Sequence, residues 1–127
     1  MRLTVYAPDA ISLSMVEVIG TDEFEAWYLS LSDDELRLVD RLVGLLEGSG
    51  FQLGHPYSSA VKGTRHAIRE LRARSTSNPL RIFYAFDKAR AAVLLIGGSK
   101  KGDDRFYERM VPRAERIWEQ YVKEQHH

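Results

Sequence analysis

Residues 66 to 98 constrain the fold more than any other part of this chain. HAIRELRAR (66–74), LRIFYAF (80–86) and AAVLLIGG (91–98) are three strand-like runs separated only by STSNP and DKAR. The first run alternates in polarity, and the third is apolar enough to be a buried strand. STSNP has the composition of a turn and DKAR that of a hairpin turn, so the three runs lie side by side as antiparallel strands.

Helical signals precede this meander. In TDEFEAWYLSL (21–31), Asp22 and Glu25 have the spacing of a capping box, and Phe24, Trp27, Tyr28 and Leu31 recur at helical spacing. SDDELRLVDRLVGLLEGSG (32–50) opens on a second box, Ser32 with Glu35. It carries one apolar stripe of Leu36, Val39, Leu42, Val43 and Leu46, and it stops at Gly48 and Gly50. MVEVIG (15–20) reads as a short strand before these helices, and FQLGHPYSSAVKG (51–63) as a loop. Residues 104–125 read as helical, with Pro112 breaking the helix or opening a second one. The expected fold is α+β: strand, helix, helix, three antiparallel strands, helix, with two helices packed on one face of the sheet and less to cover the other. Residues 1–14 read as an N-terminal extension containing Pro8, with Met15 as a second candidate start. Residues 15–125 form a single domain, and His126-His127 reads as a tag remnant.

The formal net charge is zero, but residues 1–50 hold 3 basic and 10 acidic side chains and residues 51–127 hold 15 and 8. A split of that kind suits either a polyanion-facing surface or two halves that pair with each other. The absence of cysteine excludes disulfides, thiolate nucleophiles and cysteine-zinc sites. No apolar run approaches the roughly 18 residues of a membrane span, and the N-terminus lacks a signal-peptide core, so the expected location is cytoplasmic.

Five arginines crowd residues 65–87. Alternation puts His66, Ile68, Glu70, Arg72 and Arg74 on one face of their strand, and Arg81, Phe83 and Ala85 on one face of the next. If Arg72 and Arg81 share an uncovered face, their planar guanidinium forks make a phosphate-binding pair. Lys100 and Lys101 can join from the loop after the last strand, and Tyr107 follows. Glu70 is expected to pair with an arginine on a neighbouring strand, Arg69 and Arg74 to be surface charge, and Phe83 and Tyr84 to be core. No HExxH or HxxxH spacing supports a metal site. No GxSxG, P-loop or dinucleotide-binding glycine pattern is present, and Gly97-Gly98 is too small a pattern to read as one.

Glu70-Leu71-Arg72, Arg81-Ile82-Phe83-Tyr84-Ala85-Phe86, Gly97-Gly98-Ser99-Lys100, and Tyr107 through Pro112, Ala114, Arg116 and Tyr121 occur in one order over roughly residues 15–123. In that order and spacing the chain resembles the HigB-like, phage-derived branch of the RelE/ParE toxin superfamily. The resemblance implies a RelE-like fold and the toxin of a type II toxin–antitoxin pair, with a cognate antitoxin, typically a helix-turn-helix DNA-binding protein, as partner.

For RelE- and HigB-type members the implied activity is ribosome-dependent mRNA cleavage without metal or other cofactor, by attack of the RNA 2′-OH on the adjacent phosphate. The residues carried over as catalytic are Arg81, Arg72, Lys100 and Tyr107. Arg72, Arg74, Arg81, Lys100, Lys101 and Arg105 are carried over as RNA-binding. The chain has no histidine between His66 and the terminal pair, which leaves Asp103, Asp104 and Tyr107 to complete the site. Two other readings stand beside this one: a ParE-like toxin that inhibits DNA gyrase without cutting nucleic acid, and a degenerate, non-toxic binding protein. The partner antitoxin is expected to cover the face bearing Arg72 and Arg81.

Overall fold

A computed structural model of the chain describes residues 15–73 and 77–125. Residues 1–14, 74–76 and 126–127 lie outside the described residues, and with them the expected extension, Arg74 and the terminal histidine pair. The elements run β1 (Val18–Gly20), α1 (Asp22–Leu29), α2 (Asp33–Ser49), a 3-10 turn (Gly50–Gln52), β2 (Ser58–Ala60), β3 (Arg69–Arg72), β4 (Leu80–Phe86), β5 (Ala92–Ser99) and α3 (Phe106–Gln125). The α+β class and the RelE-like order expected from the sequence are borne out. Among the described residues, no helix is long and apolar enough to cross a membrane.

Local chemistry explains both helix starts. Thr21, rather than Asp22, caps α1: its side chain accepts from the Phe24 N–H at 3.1 Å and donates to the Leu95 carbonyl at 2.7 Å. The cap therefore also pins α1 to β5. Asp22 moves into the first turn, where its charge suits the positive end of the helix dipole. Ser32 and Glu35 form the expected reciprocal box at the start of α2, whose Val39, Leu42, Val43 and Leu46 are buried. Gly50, at φ 54°, ends that helix in the left-handed region that glycine adopts freely.

The sheet has five strands in the order β1-β5-β4-β3-β2, with β1 parallel to β5 and every other pair antiparallel. The stretch expected as a loop over 51–63 thus contains an edge strand, β2. Three residues are too short for alternation to show in the sequence. β3 is shorter than HAIRELRAR suggests, because the residues before it are drawn to α3. Arg65 pairs with Glu115 and Glu119, and His66 Nε2 lies 2.9 Å from Glu119.

Each sheet face has its own core. Leu71, Ile82, Tyr84 and Leu94 pack with Phe24, Val39 and Leu46 beneath α1 and α2. Phe83, Val93, Leu95 and Ile96 pack with Phe106, Met110 and Ala114 of α3. The face expected to be open is therefore covered by α3, whose apolar stripe has to be buried against something. Nor does Pro112 break α3, which is continuous from Phe106 to Gln125. Pro112 and Glu108 are both exposed, so the carbonyl that loses its N–H partner is on the solvent side while the opposite stripe stays packed.

A register shift between β4 and β5 makes Phe83 face Ile96 and Tyr84 face Leu94, with Leu95 as the extra residue. Beyond this bulge the alternation is reset. Gly97 lies under the Trp27 ring on the α1 side, where an added Cβ would come within 2.3 Å of it. Gly98 lies under Phe106 on the other side, with a Cβ-to-ring distance of 3.0 Å. The two glycines allow helices to approach both faces of one strand.

Candidate functional site

Glu70 on β3 stands opposite Phe83, and Arg81 lies two residues before Phe83 on β4, so the two charged side chains are diagonal neighbours on the α3 face. Arg81 Nε lies 3.3 Å from Glu70 Oε1, and both side chains are less than a tenth exposed. A buried carboxylate and guanidinium require each other, since either charge alone in that setting is costly. The neighbour-strand pairing expected for Glu70 is therefore present. Arg81 Nη1 donates to the Leu80 carbonyl at 2.9 Å. Its Nε faces Glu70 outside hydrogen-bond geometry, and among the described residues it is the buried side-chain polar atom left without a hydrogen bond.

Helix α3 supplies the next member. The Tyr107 hydroxyl, from its first turn, donates to Glu70 Oε1 at 2.6 Å. The Tyr107 ring meets Phe83 edge-on with centroids 6.2 Å apart, which fixes its approach. Burial and the Glu70 carboxylate raise the Tyr107 pKa, and the Arg81 cation only partly opposes them. Near neutral pH Tyr107 is thus a neutral phenol and a hydrogen-bond donor.

Lys100 comes from the loop after β5, with its Nζ 5.0 Å from the Tyr107 ring centroid in a cation–π contact. The loop is well held: Lys100 N–H donates to the Pro79 carbonyl, and the Lys100 carbonyl accepts from Asp103 N–H, each at 3.0 Å. Gly102, at φ 66°, makes the turn between them, and Asp103 is ion-paired with Arg109. Glu70 and Tyr107 open onto a depression of about 350 Å³ whose other walls are Ala60, Val61 and Lys62. Lys62 had no place in the sequence reading. It reaches the site because β2 pairs with β3, and the signal for β2, a Ser-Ser-Ala run before Val61, is too weak to read.

The residues singled out from the sequence separate into groups. Arg81, Lys100 and Tyr107 converge around Glu70. Arg72 is the cross-strand partner of Arg81 in register and shares its sheet face, at the end of β3, while its neighbours Leu71 and Ala73 are buried on the α2 side. Lys101 and Arg105 are exposed in the loop, their backbone N–H groups bonded to Ser99 and Asp103 respectively. Asp104 is exposed beside them. Arg69 is half-buried rather than free at the surface, and its Nε donates to Ser58 Oγ at 3.1 Å. That Ser58 hydroxyl is in turn 2.6 Å from the Tyr84 hydroxyl. Phe83 and Tyr84 are fully buried, as expected.

Comparison with known proteins gives concordant results. Residues 26–119 match the family model described as phage derived protein Gp49-like. The chain is 38% identical over 111 residues to a Mycobacterium tuberculosis (strain ATCC 25618 / H37Rv) protein named "Putative toxin HigB3", covering 86% of this chain and 96% of that one. It is 32% identical over 104 residues to "Putative toxin HigB2" of the same organism, covering 80% of this chain and 52% of the relative's length.

Proposed function

The chain belongs to the Gp49-like family of phage-derived proteins, alongside HigB-like toxins, and from that premise we propose that it is the toxin of a type II toxin–antitoxin pair and cleaves mRNA on the ribosome without a metal. The observation that carries the nuclease reading is the clustering of Arg81 and Lys100, from β4 and the β5–α3 loop, around Glu70 of β3 and Tyr107 of α3, which with Lys62 line one depression. Nothing in local sequence requires these four to meet.

In the proposed reaction the RNA 2′-oxygen attacks the adjacent phosphorus and the bond to the 5′-oxygen breaks. The 2′-hydroxyl gives up its proton and the leaving oxygen gains one. The products are a 2′,3′-cyclic phosphate and a 5′-hydroxyl. Negative charge grows on the phosphate oxygens on the way, so fixed cations and hydrogen-bond donors accelerate the step. Lys100 is the cation over the Tyr107 ring, and Lys62 is the one that lines the depression. Arg81 lies deeper, its charge balanced by Glu70 until a phosphate joins the pair. Tyr107, kept protonated, donates toward the phosphate or the leaving oxygen. Arg72, Lys101 and Arg105 contribute on the flanking RNA.

A second reading, a ParE-like inhibitor of DNA gyrase, is favoured by one observation: Arg81 is buried and already paired, which a binding protein tolerates and a nuclease must rearrange. Expression of the chain alone, with mapping of mRNA 5′ ends and of plasmid supercoiling, separates the two. The nuclease reading requires growth arrest with cuts in translated mRNA, relieved by Lys100→Ala and by Tyr107→Phe. Arrest with intact mRNA and altered supercoiling would replace it with the gyrase reading. No growth effect at all would leave the non-toxic binding protein.

A further inference from the structure

A second concavity lies further along α3. Tyr107 and Trp118 are about three turns apart in that helix, so they share a face and stand roughly 16 Å apart along its axis. At Trp118 the flank of α3 opens, beside the β4–β5 turn, onto a cavity of about 650 Å³. Trp118, Tyr121 and Val122 line it from α3, Asp87 and Lys88 from the turn, and His66 from the segment before β3.

The aromatic wall is held in place. The Trp118 and Tyr121 rings lie nearly parallel, with 15° between their planes and centroids 5.9 Å apart. The Tyr121 hydroxyl donates to Asp87 Oδ2 at 2.9 Å, and Asp87 Oδ1 accepts from the Ala91 N–H at 2.9 Å. On the opposite rim, Glu119 is engaged by His66 and by Arg65. Both rings are only partly buried against the core under α3, so aromatic surface remains open to the cavity. The cations and the phenol of the proposed reaction lie at the other end of the helix and make no use of it.

We infer that this cavity is a base-stacking subsite, which takes one nucleobase of a single-stranded RNA on the Trp118–Tyr121 wall, a few nucleotides from the phosphate at Glu70 and Tyr107. The choice of RNA rests on the nuclease reading above; the preference for a flat aromatic ring rests on the cavity's own lining. Three features select a base. An indole and a phenol side by side offer a stacking platform, and every base has a π face. The carboxylates of Asp87 and Glu119 disfavour a phosphate inside the cavity, whereas Lys88 and Lys123, exposed at its rim, favour one just outside. Arg65, with a side chain 66% exposed, reaches Glu115, which lies between Tyr107 and Trp118 in α3. It thus sets a guanidinium on the path of a backbone that joins the two sites.

The test uses the full chain labelled with ¹⁵N, whose two indoles, Trp27 and Trp118, give two side-chain signals that Trp118→Phe assigns. The ligands are a short single-stranded RNA of adenines carrying 2′-O-methyl groups, which block attack by the 2′-oxygen, the same backbone without bases, and a leucine-rich helical peptide. The expected result is a shift of the Trp118 indole with the adenine strand alone, with Trp27 unmoved. Trp118→Ala should weaken binding of that strand about tenfold, the scale of one lost base–aromatic stack. Trp118→Phe, which keeps a smaller ring in the wall, should weaken it less but in the same direction, and serves if the alanine variant folds poorly. No shift with the adenine strand, an equal shift with the abasic backbone, a shift with the peptide instead, or unchanged affinity in both variants would overturn the inference. These readouts need neither ribosome nor cleavage. Stacking at Trp118 with mRNA left intact in cells would sink the nuclease reading and keep the subsite; cut mRNA with an unmoved Trp118 would do the reverse.

Discussion

Tyr107 and Glu70 are 37 positions apart in the chain and 2.6 Å apart in the fold, joined by a hydrogen bond from the phenol to the carboxylate. Through it α3 is attached to β3 at the point where Glu70 also holds Arg81. Tyr107→Phe keeps the ring packing and removes one bond to a charged acceptor. It should lower stability by about 1–2 kcal/mol in urea denaturation, whereas Glu70→Gln, which leaves the Arg81 charge buried without its counter-ion, should cost about 3 kcal/mol. Equal losses from the two variants would contradict the hierarchy in which Glu70 supports both partners.

Lys100 should separate activity from folding. Its ammonium group rests on the exposed side of Tyr107, and its half-exposed side chain makes little core contact. Lys100→Ala should leave the thermal midpoint within a few degrees of wild type and reduce the mRNA cleavage we propose by on the order of 100-fold, the scale of losing one transition-state contact. A variant that folds normally and cleaves at the wild-type rate removes Lys100 from the site.

The two glycines of β5 should differ. An added methyl at Gly97 overlaps the Trp27 ring, which is itself packed on Phe24. Gly97→Ala should destabilise by about 2–3 kcal/mol, the usual range for overpacking a tight contact. At Gly98 the nearest atom is at 3.0 Å and the next at 3.4 Å, so Phe106 needs to move only a few tenths of an ångström and the cost should be smaller. Chemical denaturation of both variants gives the order directly.

Stability should fall at both ends of the pH range. Tyr28 is pushed up to about 12 by its hydrogen bond to Asp40 and by burial, and Tyr121 to about 12 by burial and by Asp87. Tyr107 is raised as well. The unfolded chain loses these protons near pH 10, before the folded one does. The stabilisation is therefore complete below about pH 10 and lost as pH rises toward 12. At the acid end, burial opposes ionisation of Glu115, but hydrogen bonds from Arg65 outweigh it and lower the pKa. Glu35 is lowered by the Ser32 N–H. Their contributions are present above the ordinary glutamate value of 4.5 and fade as pH falls below it. Ultraviolet titration at the phenolate band and denaturation across pH check both limbs. Early ionisation of all the tyrosines near pH 10 in folded protein would refute the alkaline half.

Much of the framework is legible in the chain itself. Ser32 and Glu35 announce α2 because a capping box is a local exchange of hydrogen bonds. The alternation in LRIFYAF sorts Phe83 from Tyr84, because adjacent strand residues face opposite ways. Even the pairing of Glu70 with an arginine follows from a carboxylate placed among guanidinium groups on neighbouring strands. Two local rules mislead. Pro112 signals a break that the packed stripe of α3 overrides, and Asp22 looks like a cap where Thr21, one residue earlier, does the capping.

What the sequence determined by itself is the three helices, four of the five strands, their order, and which side chains need burial, since caps, turns and periodicity act over a few residues. Only the tertiary structure decided what each buried face meets. Alternation shows that Glu70 and Arg81 can share a face, but not that α3 closes over it with Tyr107 above them. The register shift at Leu95 cannot be read from an unbroken apolar run, yet it decides that Gly97 lies under Trp27 and Gly98 under Phe106. The same limit holds for Lys62, which the pairing of β2 with β3 brings to the depression beside Glu70 and Tyr107. Contacts of that kind depend on how distant segments are aligned, and the free energy that sets the alignment is spread over the whole core rather than written in any one segment.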